Sequence, residues 1–130
     1  MNFKQFLQRV MDSDVNIRHS IVADMDGNII TENHREGITN YLSADETAAS
    51  LKRAARSWEA RKQLKPKIGN GLYAVAAFEK ITRITFPLGE NNLLFVSMGS
   101  EKVRRDLHAG GQRDIIAHIL NILDSDPTTE

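Results

Sequence analysis

The stretch IVADMDGNII, residues 21–30, decides how this chain begins to fold. It contains the end of one run rich in β-branched and apolar residues, 17–23, and the start of another, 28–31. Asp24-Met25-Asp26-Gly27 lies between them. An Asp-Gly pair between two such runs is typical of a tight β-hairpin, because glycine readily adopts the positive φ that these turns require. The sequence therefore predicts two antiparallel strands joined by this turn.

A short amphipathic helix is predicted before the hairpin. Apolar residues recur there at spacings of three and four positions, which places them on one helical face. These residues are Phe3, Phe6, Leu7, Val10 and Met11. We expect the helix to end at residues 12–14 and the polar stretch 32–42, after the hairpin, to form an ordered loop.

A long central helix is predicted to begin at Ser43. Residues 43–46, SADE, have the form of a capping box, in which the serine hydroxyl and the glutamate carboxylate each accept from a backbone N–H of the first turn. We expect the helix to end after Leu64, because Pro66 disfavours helical geometry before it and residues 69–71, GNG, favour a turn. The predicted core stripe of this helix comprises Thr47, Ala48, Leu51, Ala54, Ala55 and Trp58.

Three further strands and a last helix complete the predicted order. The expected strands span residues 72–79, 81–86 and 93–98. The run LLFVSM at 93–98 is almost unbroken in its apolar character, as in a strand covered on both faces, and residues 87–92 form the turn before it. From Ser100 we expect helix again, with a break at 110–111. The apolar face of the final helix comprises Ile115, Ile116, Ile119, Leu120, Ile122 and Leu123.

The order of helix, two strands, helix, three strands and helix predicts an α+β fold. Hairpins dominate its connections and the central helix is its long crossover, so we expect a five-stranded antiparallel sheet in a three-layer arrangement. The first and last helices should share one face of the sheet, and the central helix should cover the other. The simplest division is one domain over residues 1–123 and a short acidic tail over 124–130.

The composition is that of an ordinary globular domain. The 130 residues include 17 Lys or Arg, 17 Asp or Glu and no Cys, and 41% are hydrophobic. These values exclude the disordered and disulfide-scaffold classes, and no run approaches the ~18 apolar residues of a membrane span. Because residues 1–10 also lack the apolar run of a signal peptide, we expect a cytoplasmic protein. The net charge of zero argues against nucleic acid as a general partner.

The central helix and the segment after it carry the most unusual charge. Residues 43–70 contain seven Lys or Arg and three Asp or Glu, a net charge of +4. Either this is an ordinary solvated face, or it is an electropositive site for an acidic partner, a phosphate-bearing ligand or nucleic acid. Trp58 lies on the core side of the helical wheel, which argues against base stacking, and Lys62 falls in line with the apolar stripe. The candidate partner-binding residues are Lys52, Arg53, Arg56, Arg61 and Lys65.

The third predicted strand has no charged residue before Glu79. Its side chains are apolar on both faces, and at a sheet edge such a strand would pair readily with another chain. This indicates a dimer, and the alternative is a monomer with this strand at the sheet centre. The candidate interface residues are Leu72, Tyr73, Ala74, Val75, Ala76, Ala77 and Phe78.

Residues 21–27, IVADMDG, are similar to the first motif of haloacid-dehalogenase-type phosphatases, an apolar strand that ends in Asp-x-Asp-Gly. That similarity would make Asp24 a nucleophile and Asp26 an acid/base beside Mg²⁺. The later acidic pair of such a site is missing, and the immediate apolar return at residues 28–30 favours a hairpin turn. The four His show no metal-ligand spacing. We therefore predict no catalytic residue, no metal and no cofactor.

The order of elements resembles the roadblock (dynein light chain) domain family over residues 15–123. The resemblance rests on IVADMDGNII at 21–30 and ITFPLGENNLLFVSM at 84–98. SWEARKQLKPKIG at 57–69 also looks like the uncharacterised archaeal members of this family, which carry a Trp and a basic run late in the central helix.

This resemblance implies a roadblock/profilin-like fold and a homodimer, or a heterodimer of like domains, whose third strands pair edge to edge. It further implies a platform or regulator for small Ras-like GTPases, without a cofactor or catalytic residue. The competing hypothesis is a ligand-sensing or phosphate-binding module of a related α/β fold. That hypothesis predicts a concave, partly polar pocket bordered by Arg53, Arg56, Arg61 or Lys65.

Overall fold

A computed structural model describes residues 2–100 and 111–125. The helices of this part are α1 (Phe3–Asp12), α2 (Ala44–Lys62), α3 (Lys65–Ile68) and α4 (Gly111–Ser125). The strands are β1 (Ile17–Asp24), β2 (Ile29–His34), β3 (Ala74–Ala77), β4 (Ile81–Leu88) and β5 (Asn92–Gly99). The helix expected to follow Ser100 falls mainly on residues 101–110, outside the described part. Since residues 126–130 also lie outside it, the division of the chain at residue 123 stays a prediction.

The strands form one antiparallel sheet in the order β2-β1-β5-β4-β3. The predicted five-stranded α+β architecture is therefore confirmed. β5 lies at the centre of the sheet between β1 and β4, and its residues 93–96 are buried. Burial on both sides explains why the sequence of β5 shows no alternation of apolar and polar residues.

The larger core lies between the sheet and the pair of helices α1 and α4. Its fully buried side chains come from α1, from α4 and from alternating positions of the three central strands. They include Phe6, Leu7, Val10, Ile115, Ile119, Val22, Ile84, Phe86, Leu94, Val96 and Met98. The first and last helices thus share one face of the sheet, as predicted.

The smaller core lies between the opposite face of the sheet and α2. Of the predicted stripe, Leu51, Ala55 and Trp58 are buried, whereas the other members are only half-buried. Leu51 packs with Ile21, Ala23 and Phe95, and Trp58 packs with Leu93. The sheet is therefore covered by helices on both faces, which completes the predicted three layers.

The start of α2 has the predicted capping box. The Ser43 hydroxyl accepts from the Glu46 amide at 3.1 Å, and the Glu46 carboxylate accepts from the Ser43 amide at 3.0 Å. The hydrogen bonds from the backbone and side chain of Ser43 hold the pKa of the Glu46 carboxyl below its ordinary value. Each group thus satisfies a backbone donor that the first helical turn cannot.

The predicted end of the central helix was wrong. α2 ends at Lys62, and a second short helix, α3, follows it. Pro66 lies in the first turn of α3, where its missing N–H has no helical partner to lose and its fixed φ suits the helix. Gly69, at a φ of +86°, then ends α3.

Several strand boundaries were also wrong. β2 extends to His34, because Asn33 and His34 pair with β1, so part of the predicted loop 32–42 is strand. β3 is shorter than expected and spans only Ala74–Ala77. β4 continues through Pro87, which was expected to open a turn. Because β3 begins at Ala74, opposite Thr85, no described strand lies beside Pro87 on that side, and Pro87 needs no amide for pairing there.

Candidate functional site

β3 lies at an open edge of the sheet. It pairs with β4 on one side, and no other described strand lies on its free side. The Phe78 amide donates to the Ile81 carbonyl at 2.8 Å, so the alternation of an antiparallel ladder turns the backbone groups of Val75 and Ala77 toward the free side. The structure therefore excludes the alternative in which this strand lies at the sheet centre.

Residues 72–78, which we call the β3 edge, are largely uncovered. Ala76 and Ala77 are exposed, and only Ala74 and Val75 pack partly against the two cores. The large hydrophobic residues that flank the strand are also exposed: Leu72 at 62%, Tyr73 at 43% and Phe78 at 59%. A strand without charge beside such residues is typical of a surface that another chain covers.

The candidate partner-binding residues separate into two groups. Lys52, Arg53 and Arg56 lie exposed along the middle of α2. Arg61 lies in the last turn of α2, and Lys65 begins α3. The basic face expected from the sequence is therefore two surfaces on this side of the sheet.

Arg83 was not identified from the sequence. It is half-buried in β4, and its Nη1 donates to the Ser50 hydroxyl of α2 at 2.9 Å. Its guanidinium lies 5.3 Å from the ring centroid of Phe95 and 5.9 Å from that of Phe78. Burial, and then the charge of Arg53, lowers the pKa of Arg83. The available signal was an arginine inside the apolar run ITRITF, but the sequence does not show that Ser50 faces it.

The second group of cations borders a pocket of about 270 Å³, which we call the basic pocket. Its walls come from the end of α2, from α3, from the loop before β3 and from the turns β1–β2 and β4–β5. Arg61, Lys62 and Lys65 line it, whereas Arg53 and Arg56 do not. A concave pocket of the kind expected for a ligand-binding module is thus present. Of the cations predicted to border it, Arg61 and Lys65 do so, and Lys62 joins them.

Lys62 extends across this pocket to the β4–β5 turn. Its Nζ donates to the Glu90 carbonyl at 2.7 Å and to the Glu59 carboxylate at 3.1 Å. The charged end of Lys62 therefore reaches polar partners although its position on α2 is in line with the apolar stripe.

The Asp24 carboxylate accepts hydrogen bonds from groups of its own turn. Its Oδ1 accepts from the amides of Asp26 and Asn28, both at 2.9 Å, and its Oδ2 accepts from the Asn28 side chain at 3.2 Å. These hydrogen bonds, led by the Asn28 amide, lower the pKa of Asp24. Gly27 has a φ of +85°, and the Asp24 amide donates to the Asn28 carbonyl. The hairpin interpretation of this motif is confirmed.

Among residues 2–100 and 111–125, no group of three or more His, Cys, Asp or Glu could hold a metal ion. No helix in this part of the chain combines the length and apolar character needed to cross a bilayer.

The amino-acid sequence matches no protein-family model, and no curated protein matches it. Solved structures are similar to it in fold. Gliding protein MglB from Thermus thermophilus superposes with a TM-score of 0.62 at 14% identity, over 93% of this chain and 87% of that one. An MglB with a tetrameric arrangement gives 0.63 at 14% identity, with the same coverage of 93% and 87%. The Roadblock/LC7 domain from Streptomyces avermitilis gives 0.60 at 12% identity, over 92% of each chain. The chain therefore has the roadblock-like fold, as its sequence predicted.

Proposed function

We propose that this chain is a non-enzymatic, dimeric roadblock-like interaction module that serves a small Ras-like GTPase as a platform or regulator in the cytoplasm. The observation that carries the proposal is the β3 edge. That strand leaves the backbone groups of Val75 and Ala77 unpaired by any described strand and is flanked by exposed apolar side chains.

Antiparallel pairing of two β3 edges would satisfy these backbone groups. Two copies related by a twofold axis perpendicular to the sheet would form one continuous sheet and would cover Leu72, Tyr73 and Phe78 of both copies. Each added backbone hydrogen bond contributes about 1 kcal/mol net, and apolar burial adds to it. The tetrameric arrangement of the similar MglB supports self-association of this fold.

The same symmetry would place both α2 helices on one face of the extended sheet. Each α2 exposes Lys52, Arg53 and Arg56, so the pair would present two basic patches on that face. Such a surface favours an acidic partner protein. The family resemblance of the sequence suggests that this partner is a small Ras-like GTPase.

Static light scattering over a dilution series tests the dimer. We expect twice the monomer mass, falling toward the monomer mass only on strong dilution. A monomer mass at every concentration would contradict the proposal.

Affinity capture from native lysate tests the partner. We expect the wild-type chain to retain a small Ras-like GTPase, identified by mass spectrometry, and the Arg53→Glu/Arg56→Glu variant to lose it. Lys4→Glu reverses an exposed charge on α1, across the sheet from α2, and is the control that should retain the GTPase. Capture of no GTPase, or equal capture by the charge-reversed α2 variant, would contradict this part of the proposal.

A further inference from the structure

We propose that the basic pocket binds a small phosphate-bearing anion. The proposal goes beyond the interaction module, because the pocket lies at the end of α2, whereas the dimer would form through β3. It stands on three features: a rigid aromatic wall, an excess of cations, and a volume that suits a compact ligand.

The aromatic wall is Trp58. Its side chain is only 4% exposed, and its indole N–H donates to the Thr85 hydroxyl at 2.8 Å, so the ring orientation is fixed. The loop before β3 passes directly over this ring at Gly71. A Cβ at Gly71 would lie 2.3 Å from Cζ3 of Trp58, so a larger residue would displace the loop or the indole. This wall of the pocket is therefore held in place by both the sheet and the loop.

Arg61 is the cation with the most donors to offer. Its guanidinium carbon lies 4.7 Å from the ring centroid of Trp58. This is the distance of a cation–π contact, which holds the guanidinium beside the indole. Within the described part of the chain, the Arg61 side chain has neither a hydrogen-bond acceptor nor an ion-pair partner. Its N–H donors are therefore available to an anion.

Lys65 adds a second cation, and its ion pair with Glu90 is easily broken. Its Nζ lies 3.3 Å from the Glu90 carboxylate, and the two side chains are 51% and 70% exposed. An ion pair with that exposure is worth little, so an incoming anion can replace the Glu90 carboxylate as partner. Lys62 contributes a third charge, anchored on the Glu90 carbonyl. Lys62 is also paired with the Glu59 carboxylate, so three cations and two carboxylates leave a net charge of +1 at the pocket, which favours an anionic ligand.

The volume limits the size of the ligand. At about 270 Å³ the pocket is slightly smaller than the sites that take drug-sized molecules. Met25, Pro87 and Leu93 give the remaining wall an apolar component. A free phosphate ion, or a phosphate monoester with a compact organic group, has the charge and the size that this wall accommodates.

The intrinsic fluorescence of the protein reports on this pocket, because Trp58 is the one tryptophan of the sequence. We would titrate the full chain with inorganic phosphate and, separately, with phenyl phosphate, at constant ionic strength, with chloride as the blank. We expect a saturable change with phosphate or with its ester. Tighter binding of phenyl phosphate would identify an ester as the ligand class, and equal binding would identify the free ion.

Two double variants distinguish binding in the basic pocket from general attraction of anions by the charge of α2. Arg61→Gln/Lys65→Gln removes two pocket cations, and we expect about tenfold weaker binding, since each charge-assisted hydrogen bond is strong. Lys52→Gln/Arg56→Gln removes two exposed cations of α2 outside the pocket and should change the affinity by less than about twofold. Isothermal titration calorimetry of the same proteins gives a readout that does not depend on Arg61 stacking against the indole.

Two results would overturn the proposal. One is the absence of saturable binding of either probe to the folded wild-type chain. The other is equal weakening by the two paired variants, since that would show only screening of the overall charge. Neither result bears on the β3 dimer, which light scattering measures independently.

Discussion

The two edges of the sheet, β2 and β3, differ in how they are protected. β2 carries Glu32, Asn33 and His34, and the Asn33 side chain donates to Gln8 of α1 at 3.2 Å. Its pairing with β1 also contains an irregularity between Val22 and Ala23. Charges, a bulge and cover by a neighbouring element are the ordinary means by which proteins keep a strand edge from pairing.

Among the described residues, the β3 edge has none of these protections. Its strand, AVAA, is built from small apolar residues, and the large residues beside it are exposed. One sheet can therefore have one edge that is closed to pairing and another that is suited to assembly. We expect β3 to form the interface and β2 to stay exposed to solvent.

The largest effect is expected from Ala77→Pro. The Ala77 amide faces the free side of β3, so proline should leave the pairing with β4 intact and remove a donor from the dimer interface. Twofold symmetry makes the loss occur twice. We expect the dimer dissociation constant to rise at least about 100-fold, measured by analytical ultracentrifugation.

Ala77→Thr is the matched control, because threonine keeps the amide and favours strand geometry. It should dimerise within about threefold of wild type. If Ala77→Pro stays dimeric while it remains folded, the contrast between the two edges is broken.

A smaller effect, on stability rather than on assembly, is expected from Gly27→Ala in the hairpin that holds β2. Gly27 has a φ of +85°, and a Cβ there would lie 2.7 Å from the Lys52 backbone. Strain and overpacking together should lower the free energy of unfolding by about 2–4 kcal/mol, measured by urea denaturation.

Gly37→Ala separates the two causes. Gly37 has a similar φ of +80°, but a Cβ there would meet nothing within 4 Å. We expect a loss of about 1 kcal/mol from backbone strain alone. Equal losses at the two glycines would show that contact with α2 does not constrain the β2 hairpin.

The smallest effect is a pH dependence at the β2 edge. Burial lowers the pKa of His19 below its ordinary value of 6.5, the Glu32 charge opposes this shift, and His34 adds to it. The rings of His19 and His34 lie 5.2 Å apart, and Nε2 of His19 lies 3.5 Å from the Glu32 carboxylate. A half-buried histidine between these groups is therefore favoured in its neutral form.

The unfolded chain consequently binds more protons than the folded chain over a window just below pH 6.5. The stabilisation due to neutral His19 is complete above pH 6.5 and is lost as the pH falls through its lower folded-state pKa. Denaturation at several pH values should show this slope in wild type and a reduced slope in His19→Gln. His118→Gln removes an exposed imidazole from α4 and is the matched control. An unchanged slope in His19→Gln would remove His19 from this account.

Features that depend on neighbouring residues in the chain were predictable from the sequence. The Asp24–Gly27 turn and the capping box at Ser43 each rest on side chains that bond to backbone within four residues. The apolar character of the β3 edge was equally visible, because residues 72–78 contain no charged residue on either face of the strand. These features fixed the order of elements, and with it the fold.

Features that depend on distant contacts were not predictable. Pro87 belongs to β4 because β3 begins opposite Thr85, and the length of β3 is a property of the folded sheet. The basic pocket requires Lys62 to meet Glu90, 28 residues away. The hydrogen bond that Arg83 donates to Ser50 likewise joins residues 33 positions apart. No local pattern encodes these pairs.

Disulfide trapping is the most direct test of whether two copies pair through β3. The sequence has no cysteine, so each introduced thiol is unique. In an antiparallel β3 pair, residues whose amides point away from the interface come within about 4.5 Å of their partners, which permits a disulfide. Cysteines at Ala74, Ala76 and Phe78, alone and mixed in pairs, sample the registers of such a pair. Ile30→Cys places the same thiol at an exposed position of β2.

Under mild oxidation in dilute solution, we predict a covalent dimer from at least one of the β3 variants or mixtures and none from Ile30→Cys. Failure of every β3 variant to cross-link, or cross-linking at Ile30 alone, would contradict a dimer that forms through β3.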